Sequence, residues 1–129
     1  MRYFRRKLDD KNRLTIPAEL HDEFAGGKIV ITKGFKDYLH LYPENVWNTQ
    51  FEAATKGRGG GAMPILFDED LADMADRIIE GLSETTMDTK QGRIIIDKEL
   101  LAYGGFDKNR EVVATKLPGD YWRLKTPRS

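Results

Sequence analysis

A chain of 129 residues with 40% hydrophobic and 33% charged side chains has enough material for one ordinary domain or two small fused ones. It has no cysteine and only two histidines, which excludes a disulfide framework and a thiolate zinc site, so we predict no metal and no other cofactor. The formal net charge is zero, but residues 2–13 carry six basic and two acidic side chains, whereas residues 68–84 carry seven acidic and one basic. Such a chain can present a basic face while remaining neutral overall, although two solvated surface runs would have the same composition.

The first residues, Met1-Arg-Tyr-Phe-Arg-Arg-Lys7, are charged and lack the apolar run of a secretory signal. No stretch approaches the roughly 20 apolar residues that a membrane-spanning helix needs. We therefore expect a cytoplasmic protein with no membrane partner.

The first third of the chain predicts short strands, one short helix and a hairpin. The β segments flank a turn over residues 10–13, and a strand covers residues 14–16. Pro17 suits a first helical position, with Leu20 and Phe24 on one face of the helix. A hairpin follows, with strands at 29–32 and 38–42. Polar or aromatic residues alternate with leucines in its second strand, which predicts a strand buried on one face.

The middle of the chain has a different character. A helix is predicted to start after Pro43, with Trp47 and Phe51 one turn apart, and the Gly-rich segment 57–61 predicts a flexible loop. Apolar residues then recur at helical spacing over 71–82, which predicts an amphipathic helix with its acids on the outer face.

The last third repeats the first. Residues 14–20 match residues 94–100 at an offset of 80, and residues 29–33 and 37–41 match residues 112–116 and 120–124 at an offset of 83. Asp97 is a predicted N-cap of the second short helix and Gly104 its predicted end. Internal repetition of this order predicts two copies of one half-domain.

Both copies place an arginine directly after a predicted left-handed turn residue. Asn12 precedes Arg13 and Gly92 precedes Arg93, and glycine and asparagine are the residues that best tolerate positive φ. An arginine displayed on such a turn, beside Lys11 or Lys90, suits phosphate oxygens or a guanine edge. Internal pairing with Asp9, Asp10 or Asp88 is the alternative, and the residues leave both interpretations open.

No catalytic arrangement stands out. The glycine run at 59–61 lacks the Lys-Ser/Thr of a phosphate-binding loop, and His21 and His40 have no carboxylate at ligand spacing. Serine occurs only at positions 83 and 129, so a hydrolase nucleophile has no evident place. We predict that the protein is not an enzyme and has no small-molecule substrate.

Several motifs resemble the MraZ family of bacterial regulators. Leu8-Asp-Asp-Lys-Asn-Arg-Leu-Thr-Ile-Pro17 resembles its signature Leu-Asp-x-Lys-Gly-Arg-Leu-x-Ile-Pro, and Leu39-His-Leu-Tyr-Pro43 with Trp47 resembles the end of its first repeat. The segments 77–84 and 87–93 resemble the run that leads into the second signature. The resemblance covers nearly the whole chain.

Two positions depart from the family pattern. Asn12 replaces the usual glycine, and Thr89 is an extra residue between Asp88 and Lys90. Asp97 stands where the first copy has Pro17, so the second copy is the more divergent of the two. The extra Thr89 leaves open whether the second turn has the shape of the first, so we favour Arg13 over Arg93 as a binding residue.

The resemblance implies a mainly β fold with short helices, in which two AbrB-like swapped-hairpin half-domains form a pseudo-twofold β-barrel. It implies a first repeat over 1–43, a helical connection over 44–84 and a second repeat over 85–129. It further implies a ring-like homo-oligomer that is associated with the nucleoid. This oligomer would bind short direct repeats in double-stranded promoter DNA of the division and cell-wall gene cluster. The expected DNA-binding residues are Arg13, Lys11, Arg93, Lys90, Arg5, Arg6 and Lys7, with Asn12 and Gly92 forming the turns.

An AbrB-like half-domain is also compatible with an antitoxin-like protein-interaction module that makes no direct DNA contact. The little chain that follows the second repeat argues against it, because such antitoxins carry a disordered tail. A β-barrel enzyme is a third option, for which the sequence offers no catalytic pair.

Overall fold

In the computed structural model the chain is mainly β with short helices, as predicted. The structure describes residues 1–24, 28–56, 73, 81–88 and 90–127. The strands in this part of the chain are β1 (Tyr3–Lys7), β2 (Arg13–Thr15), β3 (Lys28–Lys33), β4 (Leu39–Pro43), β5 (Ser83–Thr86), β6 (Arg93–Ile95), β7 (Glu111–Leu117) and β8 (Tyr121–Lys125). The helices with described bounds are a 3-10 helix (Ala18–Phe24), α1 (Glu44–Lys56) and α2 (Lys98–Tyr103).

Six strands form one antiparallel sheet in the order β1-β7-β8-β4-β3-β5. The hairpins β3–β4 and β7–β8 lie side by side, and each is flanked by a strand from the other copy: β1 pairs with β7, and β5 pairs with β3. If each strand is exchanged for its counterpart in the other copy, the same strand order is read from the opposite edge. This is the pseudo-twofold arrangement of swapped hairpins that the family resemblance implied.

The pseudo-twofold relation extends to the register. In the β4–β8 pair, His40 lies opposite Arg123, its own counterpart at the offset of 83. In the separate two-stranded ribbon, Leu14 of β2 lies opposite Ile94 of β6, its counterpart at the offset of 80. The same pseudo-twofold relation therefore holds in both sheets. One copy is connected with the other by the strand pairs β2–β6, β1–β7, β3–β5 and β4–β8.

One hydrophobic core holds the ribbon and the sheet together. Leu14 and Ile94 are fully buried in the same cluster as Phe4, Trp122 and Leu124. Burial of large apolar side chains from both copies in one cluster is the main favourable term in the folding of such a chain. The two copies thus form a single folded unit.

The described strand pairings leave the sheet open. β1 and β5 lie at its two edges, and no pairing among the described residues joins them into the closed barrel that the resemblance implied. Exposed edge strands carry unpaired backbone groups that can pair with another chain.

The short helices begin and end near the predicted residues. Asp97 caps α2, with its side chain accepting a hydrogen bond from the backbone N–H of Glu99, and Gly104 follows its last residue. Pro17 precedes the 3-10 helix, and its carbonyl accepts a hydrogen bond from the N–H of Leu20. Leu20 and Phe24 are buried on one face, as predicted.

Strand β4 is buried on both faces, whereas its alternation predicted burial on one. All five of its residues are buried. On the polar side of β4, His40 lies among the rings of Tyr38, Tyr42 and Tyr121, and α1 packs against β3 and β4. Trp47 and Phe51 of α1 stack with ring centroids 5.3 Å apart, and Trp47 meets Tyr42 edge-on at 5.2 Å. This aromatic layer covers the polar side of β4. The Gly-rich loop 57–61 and most of the predicted amphipathic helix over 71–82 lie outside the described residues. Of that predicted helix, Asp73 is helical, whereas Gly81 and Leu82 at its predicted end are not.

His40 makes the stability of this layer dependent on pH. Burial among aromatic rings, together with the nearby Arg123 guanidinium, lowers the pKa of His40 to about 4. Between the ordinary pKa of 6.5 and this value, the unfolded chain binds a proton at His40 that the folded chain does not. We therefore expect the free energy of unfolding to fall by about 2–3 kcal/mol as pH is lowered from 7 to 4.

Urea unfolding at a series of pH values measures this dependence, with His40→Gln as the comparison variant. The slope between pH 7 and pH 4 should be shallower in His40→Gln. Equal slopes in the two proteins would contradict the assignment of this pH dependence to His40.

Candidate nucleic-acid interface

The β2–β6 ribbon presents a small outward face. Leu14 and Ile94 point into the core and are fully buried, so their neighbours along each strand point outward. Arg13 lies opposite Ile95, and Thr15 lies opposite Arg93. The two predicted arginines therefore share one face, together with a threonine and an isoleucine that the sequence analysis did not single out.

The first turn holds Arg13 by its backbone and by its side chain. The Asp9 carboxylate accepts hydrogen bonds from the backbone N–H of Lys11 at 3.0 Å, from the N–H of Arg13 at 2.8 Å and from its Nε at 2.6 Å. Partial desolvation alone would raise the pKa of the Asp9 carboxyl, but the bonds from Arg13 and Lys11 outweigh it and hold that pKa below its ordinary value. Asn12 has a φ of 62°, in the left-handed region predicted for it.

The second turn repeats this arrangement despite its extra residue. The Asp88 carboxylate accepts bonds from the backbone N–H groups of Lys90, Gln91 and Arg93 and from the Arg93 Nε at 3.2 Å. The bond from the Gln91 N–H, followed by those from Arg93, lowers the pKa of Asp88 to about 2. Gly92 has a φ of 67°. Thr89 itself lies outside the described residues, but the turn closes with the same Asp N–H to Arg carbonyl bond as the first.

Each turn is also tied to the opposite copy. The carbonyl of Asn12 accepts a hydrogen bond from the N–H of Ile96 at 3.1 Å, and the carbonyl of Gly92 accepts one from Ile16 at 2.7 Å. These bonds extend the ribbon at both ends and fix the two turns relative to each other. A rigid backbone of this kind limits the entropy lost when its side chains bind a ligand.

Of the two interpretations of the arginines, internal pairing is confirmed in part. Arg13 and Arg93 each form a salt bridge with the aspartate that opens their own turn, and each does so through Nε. Among the described residues, the terminal guanidinium nitrogens of both arginines have no hydrogen-bond partner. These are the groups that bind phosphate or a guanine edge in pairs of bonds, so internal pairing orients each arginine and leaves its outer end available.

The other predicted basic residues lie in two places. Lys11 and Lys90 are exposed on the turns, and neither forms a salt bridge within the described part of the chain. Arg5, Arg6 and Lys7 are exposed on the edge strand β1, where Arg5 pairs with Glu111 and Arg6 donates to the carbonyl of Arg5. Arg5 therefore has an acidic partner on the neighbouring strand β7.

Arg110 is a contributor that the sequence analysis missed. Its Nη2 donates to the Asp9 carbonyl at 2.6 Å and to the Asn12 Oδ1 at 2.7 Å, so a residue just before β7 holds the first turn in place. The position of the first copy that corresponds to Arg110 is Gly27, so the repeat alignment predicts no such contact at the second turn. The sequence signal for this contact was Asn12 itself. An asparagine side chain in a turn needs a hydrogen-bond partner, whereas glycine, the usual residue at this position, has no side chain to satisfy.

Gly92 is required by both its backbone and its surroundings. A Cβ at this position would lie 2.1 Å from the Nε2 of His21, which is itself 2.8 Å from the Ile16 carbonyl. Because φ is also positive, we expect Gly92→Ala to destabilise the fold by about 1–3 kcal/mol in urea unfolding. Gly105 also has positive φ, but a Cβ there would meet its nearest atom at 3.7 Å, so Gly105→Ala is the control for the backbone alone. Equal losses in the two variants would contradict a steric role for His21.

The described residues contain no group of three potential metal ligands. His21 lies against the second turn and His40 in the aromatic layer of β4. None of the helices in the described part of the chain is long and apolar enough to cross a membrane.

Comparison with known proteins agrees with the motifs. Residues 4–58 match the model of a family described as "MraZ protein, putative antitoxin-like". Proteins named transcriptional regulator MraZ are similar to most of the chain. The protein from Corynebacterium kroppenstedtii is 34% identical over 95% of this chain and 80% of its own length, and the one from Clostridium beijerinckii is 35% identical over 82% of this chain and 68% of its own length. A third, from Solidesulfovibrio magneticus, is 31% identical over 91% of this chain and 74% of its own length. With the duplicated hairpins and the two Asp–Arg turns, these similarities establish that the chain belongs to the MraZ family.

Proposed function

We propose that this protein is a transcriptional regulator that binds double-stranded DNA through the outward face of the β2–β6 ribbon. The observation that carries the proposal is the pair of arginines, Arg13 and Arg93, held on one face by matching turns with their outer nitrogens available. The family relatives named transcriptional regulator support the regulatory role. No catalytic step and no cofactor form part of the proposal.

The chemistry of the face supports DNA over a protein partner. The two arginines and the exposed Lys11 and Lys90 place four cationic side chains around one narrow ribbon. A two-stranded ribbon fits the major groove of B-DNA, where arginine can form paired bonds with guanine. The lysines on the turns are suited to the flanking phosphates, which position the protein on the duplex without reading sequence.

Self-association completes the proposal. One copy offers few phosphate contacts, and its net charge is zero. A ring-like homo-oligomer would present several ribbons at once, so that short direct repeats in a promoter are bound together at high effective concentration. The open edges at β1 and β5 are candidate contacts between copies. Promoters of the division and cell-wall gene cluster, in the cytoplasm and at the nucleoid, are the proposed setting.

The test is to sequence the DNA fragments that the purified protein retains from its own genome. We expect enrichment of short tandem repeats, together with an affinity that falls linearly on a log–log scale as salt is raised. No enrichment at any site would refute the proposal. Recovery of one stoichiometric protein partner in its place would favour the antitoxin-like alternative, which the description of the matching family includes.

A further inference from the structure

Ile95 lies in the centre of the proposed DNA-binding face. Its side chain is 61% exposed, which makes it one of four exposed large hydrophobic residues among those described. An exposed isoleucine is unremarkable by itself. Its position is what distinguishes Ile95, because it lies directly opposite Arg13 and two residues along β6 from Arg93.

The distances between Ile95 and the two arginines on the ribbon are comparable to one or two base-pair steps in DNA. Side chains directly opposite each other on an antiparallel pair have Cβ atoms about 5 Å apart, and residues two apart on one strand lie about 7 Å apart. Successive base pairs are stacked about 3.4 Å apart. If Arg13 or Arg93 contacts a base, Ile95 therefore faces a base within about two steps of it.

An apolar side chain that enters the major groove has one matching group there. The edges of adenine, guanine and cytosine present hydrogen-bond donors and acceptors in this groove, whereas thymine also presents its C5 methyl group. We infer that Ile95 is a specificity-determining residue that selects a thymine next to the base contacted by the neighbouring arginine, through contact with its methyl group. This inference rests on the proposed function of the ribbon.

The duplication adds a distinction between the two halves of the ribbon. Thr15 is the counterpart of Ile95 at the offset of 80 and lies opposite Arg93. Threonine carries a methyl group that can contact thymine and a hydroxyl group that can bond to several bases, so the Thr15 half tolerates more sequences than the Ile95 half. The preference for thymine is accordingly expected to be stronger on the Ile95 side of the bound site.

The experiment removes the methyl group from the DNA and the side chain from the protein. Duplexes selected by the wild-type protein from a random pool are prepared with each thymine replaced singly by uracil, which lacks only the methyl group. We expect one position in each bound repeat at which uracil weakens binding by about three- to fourfold, the effect of losing one buried methyl contact. In Ile95→Ala that penalty should disappear, and in Ile95→Val most of it should remain.

Phe35→Ala is the matched control, because Phe35 is 83% exposed at the tip of the β3–β4 hairpin, outside the ribbon. It should keep the full uracil penalty. A penalty that persists unchanged in Ile95→Ala, or no uracil penalty at any position, would overturn the inference while leaving the DNA-binding function intact. A uniform loss of affinity in Ile95→Ala with a changed oligomeric mass would also overturn it, by assigning Ile95 to contact between copies. Failure of the wild-type protein to select any duplex would refute the proposed function itself.

Discussion

Replacing Arg13 and Arg93 together with alanine is expected to weaken DNA binding by about 100-fold or more. An arginine that reads a base contributes about 1–3 kcal/mol, and the two arginines lie on one face of the same ribbon. Each single variant should lose a smaller share of the binding free energy. The slope of log affinity against log salt should change little, because the proposal assigns the phosphate contacts to Lys11 and Lys90. Titration of a selected duplex at several salt concentrations measures both quantities.

Two comparisons separate a lost DNA contact from a disturbed turn. Lys36→Ala removes one positive charge from the exposed tip of the β3–β4 hairpin and should leave binding nearly unchanged. Asp9→Asn weakens the bonds that hold the Arg13 turn without removing the arginine, so it should cost less affinity than Arg13→Ala. If the double arginine variant binds as well as the wild type while remaining folded, the ribbon is not the DNA-binding face.

Trp122→Ala is expected to destabilise the fold by about 3–5 kcal/mol, which is a large part of the stability of a typical domain. Trp122 is fully buried on β8, with its ring 5.2 Å from that of Phe4 on β1. Its Nε1 donates a hydrogen bond to the Glu23 Oε1 at 3.0 Å. Truncation leaves a cavity at the point where strands of both copies meet. Equilibrium unfolding in urea measures the loss.

Trp122→Phe provides the graded comparison, because it keeps most of the apolar volume and loses the bond to Glu23. We expect it to destabilise the fold by clearly less than Trp122→Ala. The ribbon and the sheet share one core. Within each variant, the loss of DNA binding and the loss of secondary structure should therefore occur at the same urea concentration. Separate transitions for the two signals would contradict a single cooperative unit.

Local patterns were sufficient to predict the parts of the fold that local chemistry determines. Asn12 and Gly92 adopt positive φ because few other residues tolerate it, and Asp97 caps α2 because its carboxylate can accept a bond from a backbone N–H. The hairpins followed from β-branched and aromatic runs separated by turn residues. These features depend on a few neighbouring residues, which a sequence displays directly.

The strand pairing and the supports of the site were not predictable in the same way. Nothing within residues 3–7 indicates that β1 pairs with β7 more than 100 positions later, because one strand pattern is compatible with many partners. Arg110 reaches the first turn from another part of the chain, and burial of the polar side of β4 depends on the packing of α1. Thr15 and Ile95 became candidates only when the β2–β6 register placed them beside the arginines.

The interleaving of the two copies determines when the chain can fold during synthesis. β1 leaves the ribosome more than 100 residues before its partner β7, which begins at Glu111 and ends at Leu117. The edge strand β5 is made long after its partner β3, and the ribbon needs both Arg13 and Arg93 turns. Contacts this distant in sequence slow folding, because long loops must close before any pairing stabilises them. The strands of the first copy therefore remain unpaired at one edge on the ribosome until their partners β5, β6, β7 and β8 have been made.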